Sequence, residues 1–182
     1  GYNAKVLVES PEPLLSPSWS NDGKKIAYVS FEGKNSSVFI QDISTGNRTQ
    51  VSKFSGINSS PNWSPDDSHL ALTLSKDGNT EIYTMNLLTK SLKRITQNNG
   101  IDTEPIWSPD GKKLAFTSDR SGSPQIYEVA IKNGKAKRLS FEGAYNARPR
   151  YSPDGKFITL VHSTGGSYHI ALLNLTSGYI NV

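Results

Sequence analysis

Apolar and polar residues alternate along this chain in short runs, and these runs return at a fixed interval. The run His69-Leu-Ala-Leu-Thr-Leu74 is one example, in which successive side chains would point to opposite faces of an extended strand. No window of helical length has a clear 3.6-residue periodicity. The pattern therefore predicts an all-β protein built from short strands.

An aromatic residue marks the interval at which the runs return. It occurs at 44-residue spacing, at Trp19, Trp63, Trp107 and Tyr151. Each copy opens a similar phrase, such as Trp107-Ser-Pro-Asp-Gly111. A period of about 40–45 residues with short strands is typical of β-propeller blades. We therefore predict a propeller of four four-stranded antiparallel blades, over residues 14–57, 58–101, 102–145 and 146–182.

The second copy illustrates how one blade is encoded. Its four strands, named a to d in chain order, are predicted at residues 60–63, 69–74, 81–87 and 92–96. Ser64-Pro-Asp-Asp67 is predicted to be the turn after strand a. Pro presets a φ near −65° and Asp can bond its own backbone two residues on, so this phrase favours a turn.

The two ends of the chain do not coincide with whole copies. Residues 4–8 align with the strand d segments, so residues 1–13 are predicted to be the outer strand of a preceding blade. Residues 179–182 are expected to complete strand d of the fourth blade. Because a propeller protects its sheet edges by closing into a ring, we expect the chain to be part of a larger propeller.

The recurring aromatic residue is interpreted as a core anchor that wedges between neighbouring sheets. A ring in that position would bury about 150–250 Å² of surface. The alternative is a platform on which a ligand stacks. Recurrence in every copy favours the structural interpretation, because a structural residue is needed in every blade.

Composition excludes several classes of function. The chain has 182 residues, of which 20 are basic and 16 acidic, and no basic cluster contains the aromatic residues that a nucleic-acid surface needs. The absence of cysteine excludes disulfides, thiol catalysis and Cys-based zinc sites. No apolar stretch approaches the ~20 residues of a membrane-spanning helix. We therefore expect neither nucleic-acid binding nor membrane insertion.

No catalytic or metal-binding motif stands out in the sequence. The string Gly165-Gly-Ser-Tyr-His169 lacks the last glycine of a serine-hydrolase elbow and falls in a predicted b–c hairpin. The three histidines, His69, His162 and His169, are too few for a zinc site, although the last two could face each other across that hairpin. The sequence therefore predicts a protein that is not an enzyme and has no metal or cofactor.

The segment before strand a differs from copy to copy, whereas the rest of the repeat is kept. In a propeller these d–a loops share one rim with the b–c loops, around the mouth of the central channel. Variable loops on a repeated scaffold predict a binding surface, although neutral drift also produces variation. The candidate partner-binding residues are Ile57, Asn58, Ser59, Ser60, Asp102, Thr103, Glu104, Asp119, Arg120, Asn146 and Arg148. Of these, Arg120 could fork a partner's carboxylate or bond a neighbouring residue such as Asp119.

Several phrases resemble a known family. Trp107-Ser-Pro-Asp-Gly-Lys-Lys-Leu-Ala-Phe116, the loop Thr117-Ser-Asp-Arg120 and the strand Gln125-Ile-Tyr127 are similar to the WD-like propeller repeats of the TolB family. The opening residues 1–19 are more specific, since they resemble the entry to the TolB propeller. The resemblance covers the whole chain.

This resemblance implies a fold and a function. The parent would have an N-terminal α/β domain and a six-bladed propeller, of which this chain would hold four blades. It would be a periplasmic component of the Gram-negative Tol-Pal system. It would bind the peptidoglycan-associated lipoprotein Pal at the channel mouth, with TolA, outer-membrane proteins and colicins as further partners. Carried over by position, the partner-facing residues would be Ile57, Ser60 and Thr103.

Two alternatives to this function stay open. One is the substrate-gating propeller of a serine peptidase, because peptidase-associated propellers share such repeats. The other is a carbohydrate- or ion-binding propeller, in which Asp102 and Glu104 would hold calcium near the channel.

Overall fold

The computed structural model describes residues 5–132 and 134–182, and within these residues it contains sixteen β-strands and no helix. The first sheet consists of β1 (Leu14–Trp19), β2 (Lys25–Ser30), β3 (Ser37–Asp42) and β4 (Arg48–Ser52). The second consists of β5 (Asn58–Trp63), β6 (His69–Leu74), β7 (Glu81–Asn86) and β8 (Leu92–Arg94). The third consists of β9 (Asp102–Trp107), β10 (Lys113–Ser118), β11 (Gln125–Ala130) and β12 (Ala136–Arg138). The fourth consists of β13 (Tyr145–Tyr151), β14 (Phe157–Thr164), β15 (Ser167–Asn174) and β16 (Ile180–Asn181).

Within each sheet the four strands pair in chain order and every pairing is antiparallel. The first strand of each sheet lies innermost, because β1 contacts β5, β5 contacts β9 and β9 contacts β13. The sheets therefore radiate from a common axis as an open arc of four blades. This confirms the predicted four-stranded antiparallel blades and the all-β class.

One serine side chain closes the turn between the first two strands of each blade. In the second blade the Ser64 Oγ donates to the Asp66 carboxylate at 2.6 Å and accepts from the His69 backbone N–H at 2.9 Å. The other three blades repeat both bonds at Ser20, Ser108 and Ser152. These four turns, at residues 20–25, 64–69, 108–113 and 152–157, form what we call the turn rim. The recurring phrase is thus explained by local hydrogen bonding.

Two of the recurring tryptophans are core anchors, as predicted. Trp63 is buried between the first two sheets, and its indole Nε1 donates to the Ser18 carbonyl at 3.1 Å. Trp107 is buried between the second and third sheets and donates to the Asn62 carbonyl at 3.2 Å. Trp19 differs, since it is 57% exposed and the described residues place no sheet on its outer side. Burial of this ring therefore depends on a neighbouring sheet as well as on its position in the repeat.

The fourth aromatic residue, Tyr151, is half-buried between the third and fourth sheets. Its hydroxyl donates to the Glu128 carboxylate at 2.8 Å, and the same carboxylate pairs with the Lys113 ammonium at 2.9 Å. Burial and the adjacent carboxylate raise the pKa of the Tyr151 hydroxyl. The phenol thus keeps the anchoring role of the tryptophans while satisfying its polar end.

The strand boundaries differ from the prediction at three places in the second blade. Strand a begins at Asn58, because the loop residues before Ser60 continue the pairing with β6, as in the pair Asn58 and Leu74. Strand c ends one residue early, at Asn86, and strand d ends at Arg94. These differences extend or shorten a predicted strand without changing its place in the sheet.

The predicted outer strand at the start of the chain is not observed. Residues 1–4 lie outside the described residues, and residues 5–13 form no strand. A strand needs a hydrogen-bonded partner strand, and none is placed beside this segment within the described residues. The segment instead lies along the first sheet, where the Leu7 carbonyl accepts from the Gln41 side chain at 2.8 Å. The assignment of residues 1–13 to a preceding blade stays a prediction.

Candidate protein-binding rim

Each innermost strand carries a β-bulge at the same repeat position. The bulge residues have left-handed φ values of 52°, 50°, 56° and 57°, at Ser16, Ser60, Glu104 and Arg148. Each of the four directly precedes a proline, and the register with the second strand shifts there. A left-handed non-glycine residue costs about 1–3 kcal/mol, and such residues concentrate at functional sites. The prolines were visible in the sequence, but the unusual backbone conformation was not.

The four bulges surround a cavity on the axis of the arc. The cavity has a volume of about 660 Å³ and is lined by residues of all four innermost strands. Inside it the Glu104 carboxylate pairs with the Arg148 guanidinium at 3.2 Å and accepts from the Arg148 backbone N–H at 3.0 Å. The second contact ties the third blade to the fourth. The Arg148 side chain is 72% exposed, so its remaining N–H groups are available to a partner.

Two of the predicted site residues are buried and bonded within the protein. The side-chain amide oxygen of Asn58 accepts from the Ser52 hydroxyl at 2.6 Å and from the Phe54 backbone N–H at 2.9 Å. The Asn146 amide donates to the Gln125 side chain at 2.9 Å. Their side chains therefore close the loops from inside, and only the loops themselves face solvent.

Asp102 is also fully buried, and it forms an ion pair with Arg120 at 2.6 Å. The guanidinium of Arg120 also donates to Ser118 at 2.9 Å and lies 4.8 Å from the ring centre of Tyr127. Arg120 is therefore engaged within the protein, through Asp102 rather than through the neighbouring Asp119. The Asp119 carboxylate accepts from the Ile101 backbone N–H at 2.6 Å.

These contacts join the b–c loop of the third blade to the d–a loop beside it. Burial raises the pKa of the Asp102 carboxyl, and the hydrogen bond and charge of Arg120 oppose that shift. Asp102, Asp119 and Arg120 thus hold the shape of the rim from beneath.

The remaining predicted residues are partly or largely exposed at the channel mouth. Sequence reasoning omitted Ile101, which stands 44 residues after Ile57 and is 51% exposed beside the 47% of Ile57. The signal that could have found it was an apolar residue at the same loop position in two copies. We call the accessible set the mouth rim: Ile57, Ser59, Ser60, Ile101, Thr103, Glu104 and Arg148.

Residues that the sequence analysis weighed for metal binding or catalysis, namely His162, His169, Gly165 and Gly166, have structural roles in one hairpin. His162 and His169 pair in register across the β14–β15 hairpin, as expected, and His162 is buried with Nδ1 2.9 Å from the Asn146 side chain. Gly165 and Gly166 form the turn of that hairpin. Among residues 5–132 and 134–182, no three His, Asp or Glu side chains are close enough to hold a metal ion together. In the same residues no helix is long and apolar enough to cross a membrane.

The radiating sheets, the axial cavity and the bulged inner strands define the chain as a β-propeller. The family model described as the TolB beta propeller domain matches residues 1–182, so the chain belongs to this family. Among curated relatives, the Tol-Pal system protein TolB of Xylella fastidiosa is 63% identical over 60 residues. That stretch is 33% of this chain and 14% of the relative.

Solved structures agree with this assignment. TolB from Acinetobacter baumannii has a TM-score of 0.91 and 49% identity, over 96% of this chain and 44% of that one. The chain thus spans less than half the length of the TolB structure. A puromycin-hydrolyzing peptidase from Mycobacterium tuberculosis has a TM-score of 0.78 at 16% identity, over 97% of this chain and 29% of that one. At such identity the likeness is one of fold alone.

Proposed function

We propose that this chain is a non-enzymatic, protein-binding propeller of the Gram-negative cell envelope that acts in the periplasm as part of the Tol-Pal system. Its partner at the mouth rim is a Pal-like peptidoglycan-associated lipoprotein. Membership of the TolB family supports the system. The observation that carries the binding role is that the mouth rim presents accessible side chains that differ between blades, on a scaffold that is otherwise repeated.

The chemistry of the mouth rim suits a protein partner. Ile57 and Ile101 provide two apolar side chains that are about half exposed, and Arg148 provides an exposed cation. Protein interfaces combine an apolar centre with polar groups around it, and arginine is enriched among the residues that dominate their affinity. We therefore expect the partner to present an apolar patch and a carboxylate to this rim.

The backbone of the mouth rim supports tight binding. The bulges and the buried contacts of Asn58, Asp102 and Asn146 fix the loops before a partner arrives. A surface that is already ordered loses less conformational entropy on association. A specific complex buries about 1,200–2,000 Å² in total, for which the rim and the channel mouth together offer a continuous surface.

The family supports further partners, namely TolA, outer-membrane proteins and colicins, and we assign no residues to them. The alternative role as the gate of a serine peptidase has the support of likeness in fold alone. For that reason the lipoprotein is the partner that we propose to test.

The test combines Thr103→Trp with Ser60→Trp in the full chain. Two large rings on the mouth rim should block docking and weaken the binding of a Pal-like lipoprotein domain by about tenfold or more. The melting temperature should change little, because both residues are partly exposed and substitutions outside the core usually have small effects on stability. Isothermal titration calorimetry and thermal unfolding measure the two quantities.

A matched control places the same rings on the turn rim, with Lys24→Trp and Lys112→Trp. Both lysines are exposed, so this variant presents the same two rings at the opposite end of the channel. It should bind the lipoprotein domain as the unaltered chain does. Equal affinity of the mouth-rim variant and the control would rule out the proposed docking surface.

A further inference from the structure

A buried polar cluster lies beneath the mouth rim at two successive junctions between blades, and its members occupy the same repeat positions. Between the third and fourth blades the cluster is neutral and centres on Gln125, Ser140 and Asn146. Between the second and third blades the residues 44 positions earlier are Glu81, Thr96 and Asp102, and all three are buried. An amide pair at one junction is therefore replaced by a pair of carboxyl groups at the other.

The neutral cluster has a hydrogen between its two central side chains. The Asn146 amide Nδ2 donates to the Gln125 Oε1 at 2.9 Å, and the Ser140 hydroxyl donates to the same oxygen at 2.8 Å. The Asn146 Oδ1 lies 2.9 Å from Nδ1 of His162. Both polar atoms of the Asn146 amide thus have a partner.

The charged cluster lacks that hydrogen. The Glu81 carboxylate accepts from Arg94 at 3.1 Å through Oε1 and from the Thr96 hydroxyl at 2.5 Å through Oε2. The Oδ2 atom of Asp102 accepts from Arg120 at 2.6 Å and from the Asn98 amide at 2.7 Å. The other oxygen, Asp102 Oδ1, is buried and has no hydrogen-bond partner.

The hydrogen that the charged cluster lacks would lie between Asp102 and Glu81. The Asn98 amide connects the two carboxyl groups, since it is 2.7 Å from Asp102 and 3.5 Å from Glu81. By repeat equivalence, Asp102 Oδ1 stands where Asn146 has the Nδ2 that donates to Gln125. A buried acceptor without a donor is costly, and two ionised carboxylates that share one donor group repel each other. One added proton removes both penalties.

We propose that Glu81 and Asp102 share one proton, held on Asp102 Oδ1 and donated to Glu81, and that this proton positions the loop 97–101 of the mouth rim for partner binding. The second part rests on the function proposed above. The loop depends on the pair directly, because the Asn98 backbone N–H donates to Glu81 at 2.8 Å and its side chain donates to Asp102. Loss of the proton would set the two carboxylates against each other at the base of this loop.

The groups around the pair are compatible with a retained proton. The cations that face it are Arg94 on β8 and Arg120 after β10, and each already bonds one carboxyl oxygen. The neighbouring Asp119 carboxylate is directed to the Ile101 backbone N–H. Burial raises the pKa of Asp102 in spite of the opposing effect of Arg120, which agrees in direction with the geometry.

Because the pKa of Asp102 is raised, the stability that the pair contributes should depend on pH. The folded chain holds the proton more tightly than the unfolded chain, so the stability contributed by the pair falls as the pH rises through the folded-state pKa. The loop packs directly on Arg120, because a Cβ added at Gly100 would lie 2.8 Å from the Arg120 Cα. Loosening the pair should therefore also loosen the loop.

The first experiment observes the proton without any partner. Carbon-13 NMR of the side-chain carboxyl groups is recorded over a pH series on the full chain. We expect the Asp102 carboxyl signal to titrate above the ordinary aspartate value of about 4. The double variant Glu81→Gln with Asp102→Asn, which reproduces the Gln125–Asn146 pair, should lack this titration. Glu104→Gln is the control that should keep it.

The outcomes of this experiment are distinct. A high titration that vanishes only in the double variant supports the shared proton. If every carboxyl titrates at or below its ordinary range, or if the high titration survives in the double variant, the shared proton is refuted.

The second experiment measures binding of a Pal-like lipoprotein domain over the same pH series. The unaltered chain should lose affinity as the pair deprotonates, whereas the double variant should keep a constant affinity. A parallel loss in both chains would refute the positioning role. If the domain binds neither chain at any pH, the proposed function fails, while the NMR titration still decides whether the proton is shared.

Discussion

The two ends of the channel use the same repeat in different ways. On the turn rim, the bonds of Ser64 and Asp66 recur in all four blades with nearly equal lengths. Beneath the mouth rim, the equivalent positions are Asn58, Asp102 and Asn146. Both asparagines donate to the backbone carbonyl four residues earlier, whereas Asp102 pairs with Arg120 on another loop. A position therefore changes between blades where its partner on a neighbouring loop changes with it.

The turn rim contains one exception that obeys the same rule. In the later blades Gly111 packs against Pro65, 3.6 Å from where its Cβ would be, and Gly155 packs in the same way on the preceding proline. In the first pair of blades Asn21 replaces the proline and Asp67 replaces the glycine. The Asp67 carboxylate accepts from the Asn21 backbone N–H at 2.7 Å, a donor that proline does not have. Both departures from the phrase are therefore explained by one contact.

The largest effect on stability should come from replacing the tryptophans. These variants test whether burial or position in the repeat determines how much each ring stabilises the fold. Trp107→Ala should lower the free energy of unfolding by about 3–5 kcal/mol, because it opens a cavity between two sheets. Trp19→Ala, at the same repeat position, should cost about 1 kcal/mol or less, because its ring is already 57% exposed. Urea unfolding measures both, and equal losses would contradict the assignment of burial as the cause.

The next effect concerns the exception on the turn rim. Asn21→Pro should destabilise the chain, because it removes the backbone N–H that donates to Asp67. Adding Asp67→Gly should recover part of this loss by restoring the contact between proline and glycine that the later blades have. We expect a coupling energy of about 1 kcal/mol from a double-mutant cycle in urea. Strictly additive losses would mean that the two departures are independent.

The sequence predicted the turn rim better than the mouth rim. The phrase around Ser64 and Asp66 defines its own hydrogen bonds, so the turns and the four blades could be derived from spacing. The burial of Asp102 and its pairing with Arg120 could not, because the two residues are adjacent only after β9 and β10 have paired. The left-handed bulges, and the exposure of Trp19, likewise depend on how strands and sheets meet.

The smallest effect is the dependence of stability on pH. It should have opposite signs for the carboxyl groups of the turn rim and for Asp102 beneath the mouth rim. The serine hydroxyl is the largest cause of the lowered pKa at each turn carboxyl, and for Asp66 the pKa falls to about 2. The stability from these turns is present above about pH 4 and is lost as the pH falls towards 2. Asp102, whose pKa is raised, should instead lose stability as the pH rises.

Ser108→Ala tests the acid response of the turn rim. This variant should narrow the difference in urea midpoint between pH 7 and pH 3, since the pKa of Asp110 returns towards its ordinary value. Ser121→Ala, at an exposed serine outside the turns, is the control and should leave the difference unchanged. An unaltered pH difference in Ser108→Ala would show that the repeated serine does not set the acid response.

The most direct test of the account is hydrogen–deuterium exchange of the full chain with and without a Pal-like lipoprotein domain. We predict slower exchange on binding in peptides that cover residues 57–60, 101–104 and 145–148, because the partner covers the mouth rim. The turn-rim residues 20–25 and 108–113 should exchange at the same rate in both samples. Protection confined to the turn rim, with the mouth rim unchanged, would contradict the account.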